Sequence, residues 1–165
     1  MRYHNITHDD MKNGDGLRVV LWVAGCAHRC PGCQNPVTWD PDGGIPFDKK
    51  AENEINQQLS NDYISGITFS GGDPLNEANI NDVEMLAAKI KEKYPDKTIW
   101  LYTGSKWEDI RELPLMKYLD VLVDGEYIEK WRDVQLRWKG SRNQRVIDVQ
   151  ESLKDGEVHI HCPEY

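Results

Sequence analysis

The fold is decided by Leu17–Val23 (LRVVLWV), a short apolar run that the chain continues as AGCAHRCPGC to Cys33. Polar NGDG precedes the run and Gly25 follows it closely. Apolar, β-branched residues between such turn signals predict a buried strand. The clustered cysteines therefore begin, at Cys26, where this strand is predicted to end.

Further strands and helices alternate along the rest of the chain. Short apolar runs predict strands at Ile64–Phe69, Thr98–Tyr102, Leu119–Val123 and Arg145–Val149. Helical patterns predict helices at Lys49–Leu59 and Ile80–Tyr94, with a weaker helix at Trp107–Tyr118 that Pro114 interrupts. This alternation is typical of an α/β fold with a mainly parallel sheet, in which ligand-binding groups gather at the carboxyl ends of the strands.

Length and composition limit the possible functions. A chain of 165 residues is the size of one domain, so we expect residues 1–165 to form a single domain. The net charge is −8 and no Lys/Arg stripe is present, which argues against nucleic acid as the main partner. We expect no membrane span, because no apolar run is long enough, and no secretion signal. These features predict a cytoplasmic protein with reduced cysteines.

The cysteines Cys26, Cys30 and Cys33 follow a C-x-x-x-C-x-x-C spacing. Thiolates are ligands that suit iron–sulfur clusters or zinc. Structural zinc sites and electron-transfer [4Fe–4S] sites normally use four protein ligands, whereas three cysteines would leave one iron of a cluster with an open position. Spacing alone leaves zinc possible, and the candidates for its fourth ligand are Cys162, His28, His159 and His161. We expect Cys162 to be a free thiol rather than a ligand.

A glycine-rich motif, Ser70-Gly71-Gly72-Asp73-Pro74, follows the second predicted strand. Paired glycines let the backbone approach a ligand closely and present bare carbonyl groups. Those carbonyls, with the Asp73 carboxylate, could receive the ammonium group of an amino acid. The alternative is an ordinary Gly-Gly turn before an Asp-Pro helix start. The motifs YTG and DG end the next two predicted strands, so the sequence predicts that all of these motifs share one edge of the sheet.

Several motifs occur in a fixed order, namely NGDGLR, GCAHRCPGCQNPVTW, SGGDP, YTG, DVLVDG and RWKGSRNQRVID, between about Asn13 and Val149. This ordered set resembles the radical S-adenosylmethionine superfamily and, within it, the activating proteins of anaerobic ribonucleoside-triphosphate reductases. Two positions depart from the common patterns. Gly32 stands where the wider superfamily favours an aromatic residue; the reductase activators resemble this chain in having glycine there. Asp15 stands at a position where the pattern NGPG is commoner than NGDG.

The resemblance implies a shortened, partly open β/α barrel of the radical S-adenosylmethionine type with a mainly parallel sheet. It implies a [4Fe–4S] cluster on Cys26, Cys30 and Cys33, with S-adenosyl-L-methionine as cosubstrate on the fourth iron. The residues that would bind this cosubstrate are Gly71, Gly72 and Asp73 at its amino group, Gly32 and Gln34 beside its adenine, and Thr103 and Asp124 at strand ends that face it. No catalytic side chain is implied beyond the cluster and the cosubstrate.

The resemblance also implies a reaction and its partners. Reductive cleavage of S-adenosylmethionine would yield a 5′-deoxyadenosyl radical that generates a glycyl radical on the anaerobic ribonucleoside-triphosphate reductase. A donor such as a flavodoxin would supply the electron. Aromatic residues are favoured at interfaces, and the candidates for a reductase-facing surface are Trp39, Tyr127, Trp131 and Trp138. Two alternatives stay open: an activase of another glycyl radical enzyme, such as pyruvate formate-lyase, and a non-catalytic zinc or iron–sulfur module.

Overall fold

A seven-stranded open sheet forms the centre of the computed structural model, which describes residues 1–161. The strands in chain order are β1 (Arg2–Asp10), β2 (Leu17–Val23), β3 (Ile45–Pro46), β4 (Ile64–Gly71), β5 (Thr98–Tyr102), β6 (Val121–Asp124) and β7 (Arg145–Asp148). Their order across the sheet is β3-β1-β2-β4-β5-β6-β7.

Four α-helices and three short 3₁₀ turns accompany the sheet in the described part of the chain. The helices are α1 (Lys49–Leu59), α2 (Ile80–Lys93), α3 (Trp107–Ile110) and α4 (Val149–Asp155). The 3₁₀ turns cover Pro36–Thr38, Pro114–Tyr118 and Glu129–Trp131. Within residues 1–161, no helix combines the length and the apolar character needed to cross a membrane.

The central strands β2, β4, β5 and β6 are parallel, which confirms the predicted mainly parallel sheet for this region. Val23 lies opposite Gly71, and Tyr102 lies opposite Val123. The carboxyl ends of these strands therefore meet at one edge of the sheet. The outer strands β1 and β7 run antiparallel to their inner neighbours.

One face of the sheet is covered by the helices. Side chains alternate between the two faces of a strand, and every second strand residue points into a core shared with all four helices. The strand residues of this core include Val19, Leu21, Ile67, Phe69, Ile99, Leu101, Leu122 and Ile147. Ile55 of α1 and Ile90 of α2 are also buried there. Removing this apolar surface from water is the main favourable contribution to folding.

The opposite face carries a smaller apolar cluster of Trp100, Val121, Val123 and Val146. Trp138, from the long connection between β6 and β7, packs on this cluster, and its ring meets that of Trp100 edge to face with the centroids 4.9 Å apart. Trp138 has a φ of 64°, which is rare for a bulky residue. The Tyr102 hydroxyl donates a hydrogen bond to the Trp138 carbonyl at 2.6 Å. The connection is therefore fixed to the sheet by both edge-to-face ring packing and hydrogen bonding.

Arg18 is fully buried on this opposite face. Its guanidinium donates to the hydroxyls of Thr68 and Thr98 at 2.9 and 2.8 Å. It also donates to the carbonyl oxygens of Asp15, Ile67 and Thr98. Burial lowers the pKa of Arg18 to about 10, so the group remains charged at neutral pH. Its hydrogen bonds offset the cost of removing the charge from water.

Within residues 1–161, the structure contains three elements that the sequence does not predict, β1, β3 and α4, and α4 begins at Val149, the last residue of a predicted strand. It also shortens one predicted helix. No strand is predicted before Leu17, yet β1 occupies Arg2–Asp10. Only Ile6 of β1 is buried, so the alternating pattern of β1 is weak. The predicted helix Trp107–Tyr118 is wrong in its extent, because α3 ends at Ile110 and a 3₁₀ turn begins at Pro114. Proline lacks the N–H that would continue an α-helix.

We expect Arg18→Met to lower the free energy of unfolding by roughly 2–4 kcal/mol, because buried carbonyl and hydroxyl groups would lose their donors. Urea unfolding followed by circular dichroism measures the change. Arg111→Met is the control, since the Arg111 side chain is 45% exposed and its loss should change the stability by less than about 0.5 kcal/mol. Equal effects of the two substitutions would contradict a stabilising role for Arg18.

Candidate functional site

A cavity of about 670 Å³ opens at the carboxyl ends of the parallel strands. Its wall contains the three clustered cysteines and residues at or just past the ends of β4, β5 and β6. These residues are Cys26, Cys30, Cys33, Gly71, Gly72, Asp73, Thr103, Gly104 and Gly125. The structure therefore brings the predicted cysteine and glycine motifs to one site.

Aromatic side chains form another part of the wall. Trp39, Tyr127 and Trp138, three of the four aromatic residues predicted for a partner-facing surface, line the cavity. Trp131 is 37% exposed on the β6–β7 connection. The cavity thus combines polar groups at the strand ends with an aromatic side that the connection supplies.

The segment after β2 that carries Cys26, Cys30 and Cys33, here called the cysteine loop, is held by main-chain hydrogen bonds. The Cys26 N–H donates to the Trp39 carbonyl at 3.0 Å, and the Cys33 N–H donates to the Cys30 carbonyl at 3.0 Å. Cys30 is buried, and the other two cysteines are half-buried. The loop closes on itself, so that residues spread along it line a single cavity.

Burial raises the pKa of the Cys26 and Cys30 thiols above their ordinary value. The charges of Asp73 and Glu126 raise these two pKa values further. Glu126 Oε2 lies 3.7 Å from Cys30 Sγ. A metal removes the proton of a thiol that coordinates it, so metal binding at this site must release protons.

The donor set fits an iron–sulfur cluster. Each cysteine of such a cluster binds a different iron, so the thiolates surround a volume rather than a point. Within residues 1–161, no three His, Cys, Asp or Glu side chains converge closely enough to hold one metal ion. Trp39 has a buried indole N–H that no described residue accepts. Buried donors are normally paired, so the cavity wall has a donor available for a bound group.

The glycine turn after β4 packs against the backbone that carries the first cysteine. A Cβ on Gly72 would lie 2.6 Å from the Gly25 carbonyl oxygen and 2.7 Å from that of Thr38. Gly71 has a φ of 105°, which glycine adopts without strain. The Asp73 N–H donates to the Gly25 carbonyl at 2.7 Å. The close approach of the turn to the Gly25 backbone therefore requires glycine at position 72, and the backbone conformation and the nearby Val23 backbone require it at position 71.

Asp73 is only 3% exposed, and its carboxylate binds donors of the protein itself. Oδ2 accepts from the Thr103 hydroxyl at 2.9 Å and from the Gly104 N–H at 3.1 Å, and it lies 2.8 Å from His28 Nε2. Oδ1 accepts from the Leu75 N–H at 2.9 Å. A carboxylate offers about four acceptor sites, which these partners occupy. Asp73 thus joins the cysteine loop, the glycine turn and the end of β5.

Three other residues predicted to bind the cosubstrate differ in their positions. Thr103 and the exposed Gln34 line the cavity. Gly32 has a φ of 77° and packs beside the Glu129 carboxylate, which a Cβ on Gly32 would overlap. The Gly32 backbone is therefore confined by the β6–β7 connection.

Asp124 at the end of β6 is buried in an internal ion pair. Its carboxylate accepts from the Trp107 N–H at 2.8 Å and lies 2.5 Å from the Arg145 guanidinium. Arg145 also pairs with Glu108 at 2.8 Å. Hydrogen bonds to Asp124 and then to Glu108 raise the pKa of Arg145, and the bond to Arg145 lowers the pKa of Glu108. Asp124 therefore connects β6, β7 and α3 beside Gly125, which lines the cavity.

Sequence reasoning missed two residues beside the cysteines. His28 is bound to Asp73, and its Nδ1 lies 3.9 Å from Glu126 Oε1. His28 lies inside the cysteine motif, and this position could have indicated a role at the site. The sequence analysis considers it only as a candidate zinc ligand. Glu126 follows β6 directly, and its contact with the cysteine loop depends on the path of the β6–β7 connection.

The other predicted zinc candidates have partners elsewhere. His159 Nε2 lies 2.7 Å from Asp155, and His161 Nε2 lies 2.7 Å from Asp15. The pair between His161 and Asp15 connects the NGDG loop to the end of the described chain, and this contact gives the aspartate at position 15 a structural role. Cys162 lies outside the described residues.

Comparison with known proteins identifies relatives across most of the chain. The family model described as a 4Fe-4S single cluster domain matches residues 12–147. A protein of Enterobacteria phage T4 is 44% identical over 146 residues, which cover 88% of this chain and 93% of the relative. Proteins of Escherichia coli (strain K12) and Vibrio cholerae are each 40% identical over 150 residues, which cover 88% of this chain and 97% of the relative.

All three relatives are named anaerobic ribonucleoside-triphosphate reductase-activating protein. The family-model match extends over the segments that form the cavity, from the cysteine loop to the β6–β7 connection. The matched domain type agrees with the iron–sulfur interpretation of the cysteines. The chain belongs to the family of anaerobic ribonucleoside-triphosphate reductase-activating proteins and contains its 4Fe-4S single cluster domain.

Proposed function

We propose that this chain activates the anaerobic ribonucleoside-triphosphate reductase by reductive cleavage of S-adenosyl-L-methionine. The cysteines would hold a [4Fe–4S] cluster that supplies one electron, and the cosubstrate would thereby be split into methionine and a 5′-deoxyadenosyl radical. This radical would take a hydrogen atom from a glycine Cα of the reductase, giving 5′-deoxyadenosine and a glycyl radical. The observation that carries the proposal is one cavity wall shared by Cys26, Cys30, Cys33 and the Gly71–Asp73 turn. The names of the relatives support the choice of partner.

The three thiolates of Cys26, Cys30 and Cys33 would each bind one iron, which leaves the fourth iron for the methionine part of the cosubstrate. The ammonium group of that part would lie against the backbone of Gly71 and Gly72. Support comes from the cavity wall, which includes both glycines, and from the packing of Gly72 on the Gly25 and Thr38 carbonyls, which fixes the turn. Asp73 would fix this backbone through its four hydrogen-bond partners rather than reach the ammonium group itself.

The remaining predicted residues would act at the adenosyl part. Gln34 and the backbone at Gly32 would contact the adenine, and Thr103 would face the ligand from the end of β5. Gln34 and Thr103 line the cavity, which supports these two assignments. Asp124 would act indirectly, by holding the strand end from which Gly125 enters the wall.

We infer that the sheet is a shortened, partly open β/α barrel of the radical S-adenosylmethionine type. The inference is supported by the parallel strands β2, β4, β5 and β6 and by the location of the cavity at their carboxyl ends, where barrel enzymes place their sites. The open shape would admit a loop of the reductase. Tyr127 and Trp138 in the wall would help to exclude water from a reactive intermediate.

The reaction needs a one-electron donor, for which we propose a flavodoxin-like protein in the reducing cytoplasm.

The test of the proposed function mixes anaerobically reconstituted protein with the reductase, S-adenosylmethionine and a reductant. We expect a glycyl radical signal on the reductase by electron paramagnetic resonance. Cosubstrate cleavage without this signal, but with a signal on pyruvate formate-lyase, would assign the chain to another glycyl radical enzyme. Colourless protein with stoichiometric zinc and no cleavage would overturn the proposal entirely.

We expect Cys30→Ala to abolish cluster assembly, because only two of the three thiolates would remain. The measurement is iron content after anaerobic reconstitution, which should fall from about four irons per chain in the unmodified protein. Cys162→Ala is the matched control and should retain both iron and activity. Loss of iron from the control would show that Cys162 is a ligand.

We expect Gly72→Ala to weaken the binding of S-adenosylmethionine at least ~10-fold, because the added Cβ would push the turn away from the cysteine loop. Equilibrium binding to the reconstituted protein measures the change. Gly43→Ala is the control, since the nearest atom to its Cβ would be 3.2 Å away. Unchanged binding in Gly72→Ala would remove the glycine turn from the binding site.

A further inference from the structure

His28 connects the cysteine loop to the strand ends that face it. Its Nε2 lies 2.8 Å from Asp73 Oδ2, and because a carboxylate only accepts hydrogen bonds, Nε2 carries the hydrogen. The same oxygen accepts from the Thr103 hydroxyl and the Gly104 N–H. One carboxylate oxygen therefore joins a side chain from between Cys26 and Cys30 to the end of β5.

The imidazole ring of His28 is also held by shape. A Cβ on Gly104 would lie 2.6–2.8 Å from three atoms of this ring, so the ring occupies the space that the missing side chain leaves open. On its other side, Nδ1 lies 3.9 Å from Glu126 Oε1. The His28 side chain is 24% exposed and lines the cavity. Its position is thus fixed by β4, β5 and the β6–β7 connection together.

Among the described residues, the cysteine loop has few other contacts with the strand ends besides the approach of Cys30 Sγ to Glu126 Oε2 at 3.7 Å. Its main chain is bonded near Cys26, through the Trp39 carbonyl, and near Gly25, which accepts from the Asp73 N–H. Beyond Cys26, the backbone turns through Arg29 at a φ of 49°. Three residues lie between Cys26 and Cys30. In the described part of the chain, His28 is the one of these whose side chain forms a hydrogen bond with a residue at a strand end, namely Asp73.

We propose that His28 is a positioning residue, which fixes the cysteine loop against Asp73 and thereby sets where the cluster lies relative to the Gly71–Gly72 backbone. This inference rests on the proposed function, in which S-adenosylmethionine bridges the fourth iron and the glycine turn. The bridge requires one fixed separation between the two parts. Side chains outside the ligand set commonly control such geometry, and their loss typically costs ~10–100-fold in binding or activity.

The test compares four variants after anaerobic reconstitution. His28→Leu removes the hydrogen bond, and His28→Gln retains an N–H donor that can reach Asp73. Gly104→Ala leaves His28 in the sequence but displaces its ring. His8→Leu is the matched control, because it removes another histidine–carboxylate pair, with Glu54 at 2.9 Å, on an exposed part of β1. The readouts are iron content, the paramagnetic resonance signal of the reduced cluster with and without S-adenosylmethionine, and affinity for this cosubstrate.

We expect His28→Leu and Gly104→Ala to keep the iron content of the unmodified protein but to bind S-adenosylmethionine ~10–100-fold more weakly, with a smaller change of the signal on its addition. His28→Gln should recover most of the affinity, and His8→Leu should match the unmodified protein. Thermal unfolding by circular dichroism checks that each variant is folded.

Three results would overturn the inference. The first is that His28→Leu binds the cosubstrate as tightly as His8→Leu does, and the second is that His28→Gln is as impaired as His28→Leu. The third is that His28→Leu loses its iron, which would show that His28 is needed to hold the cluster rather than to position it. The proposed function fails separately, if the unmodified protein assembles no cluster or its cluster does not respond to S-adenosylmethionine.

Discussion

The buried carboxylate of Asp73 is the contact on which the geometry of the cavity depends. It accepts hydrogen bonds from Thr103, Gly104 and Leu75 and binds His28. These residues belong to the cysteine loop, the glycine turn and the end of β5, which are far apart in the chain. A buried carboxylate is costly unless it is fully hydrogen-bonded, so the segments are held in one arrangement that satisfies it.

The two faces of the sheet have different tasks in this arrangement. The helix-covered face contains the large apolar core, which stabilises the parallel strands and so aligns their carboxyl ends. The opposite face contains Arg18 and the Trp100 cluster, onto which the β6–β7 connection packs through Trp138. That connection then supplies Tyr127, Trp138 and Glu126 around the cysteines. Both faces therefore stabilise the sheet, and the face opposite the helices also holds the connection that completes the cavity.

Much of this architecture is predictable from local pattern. The strand Leu17–Val23, the helix Lys49–Leu59 and the strand Thr98–Tyr102 have the predicted bounds, because strong apolar runs or helical patterns lie between clear turn signals. The strand β1 is not predictable in this way, since its backbone pairs with β2 while most of its side chains remain partly exposed. Its formation depends on a partner strand rather than on its own composition.

The sequence by itself determined the cysteine spacing, the glycine turn and their placement after parallel strands, since these follow from local residue patterns and from the rule that parallel strands align their ends. Only the tertiary structure decided how the carboxylates are used. Asp73 and Asp124 both follow strands and look equivalent in the sequence, yet Asp73 binds His28 in the cavity wall and Asp124 pairs with Arg145. A carboxylate's role depends on which donors reach it, and those donors come from segments brought close only by folding.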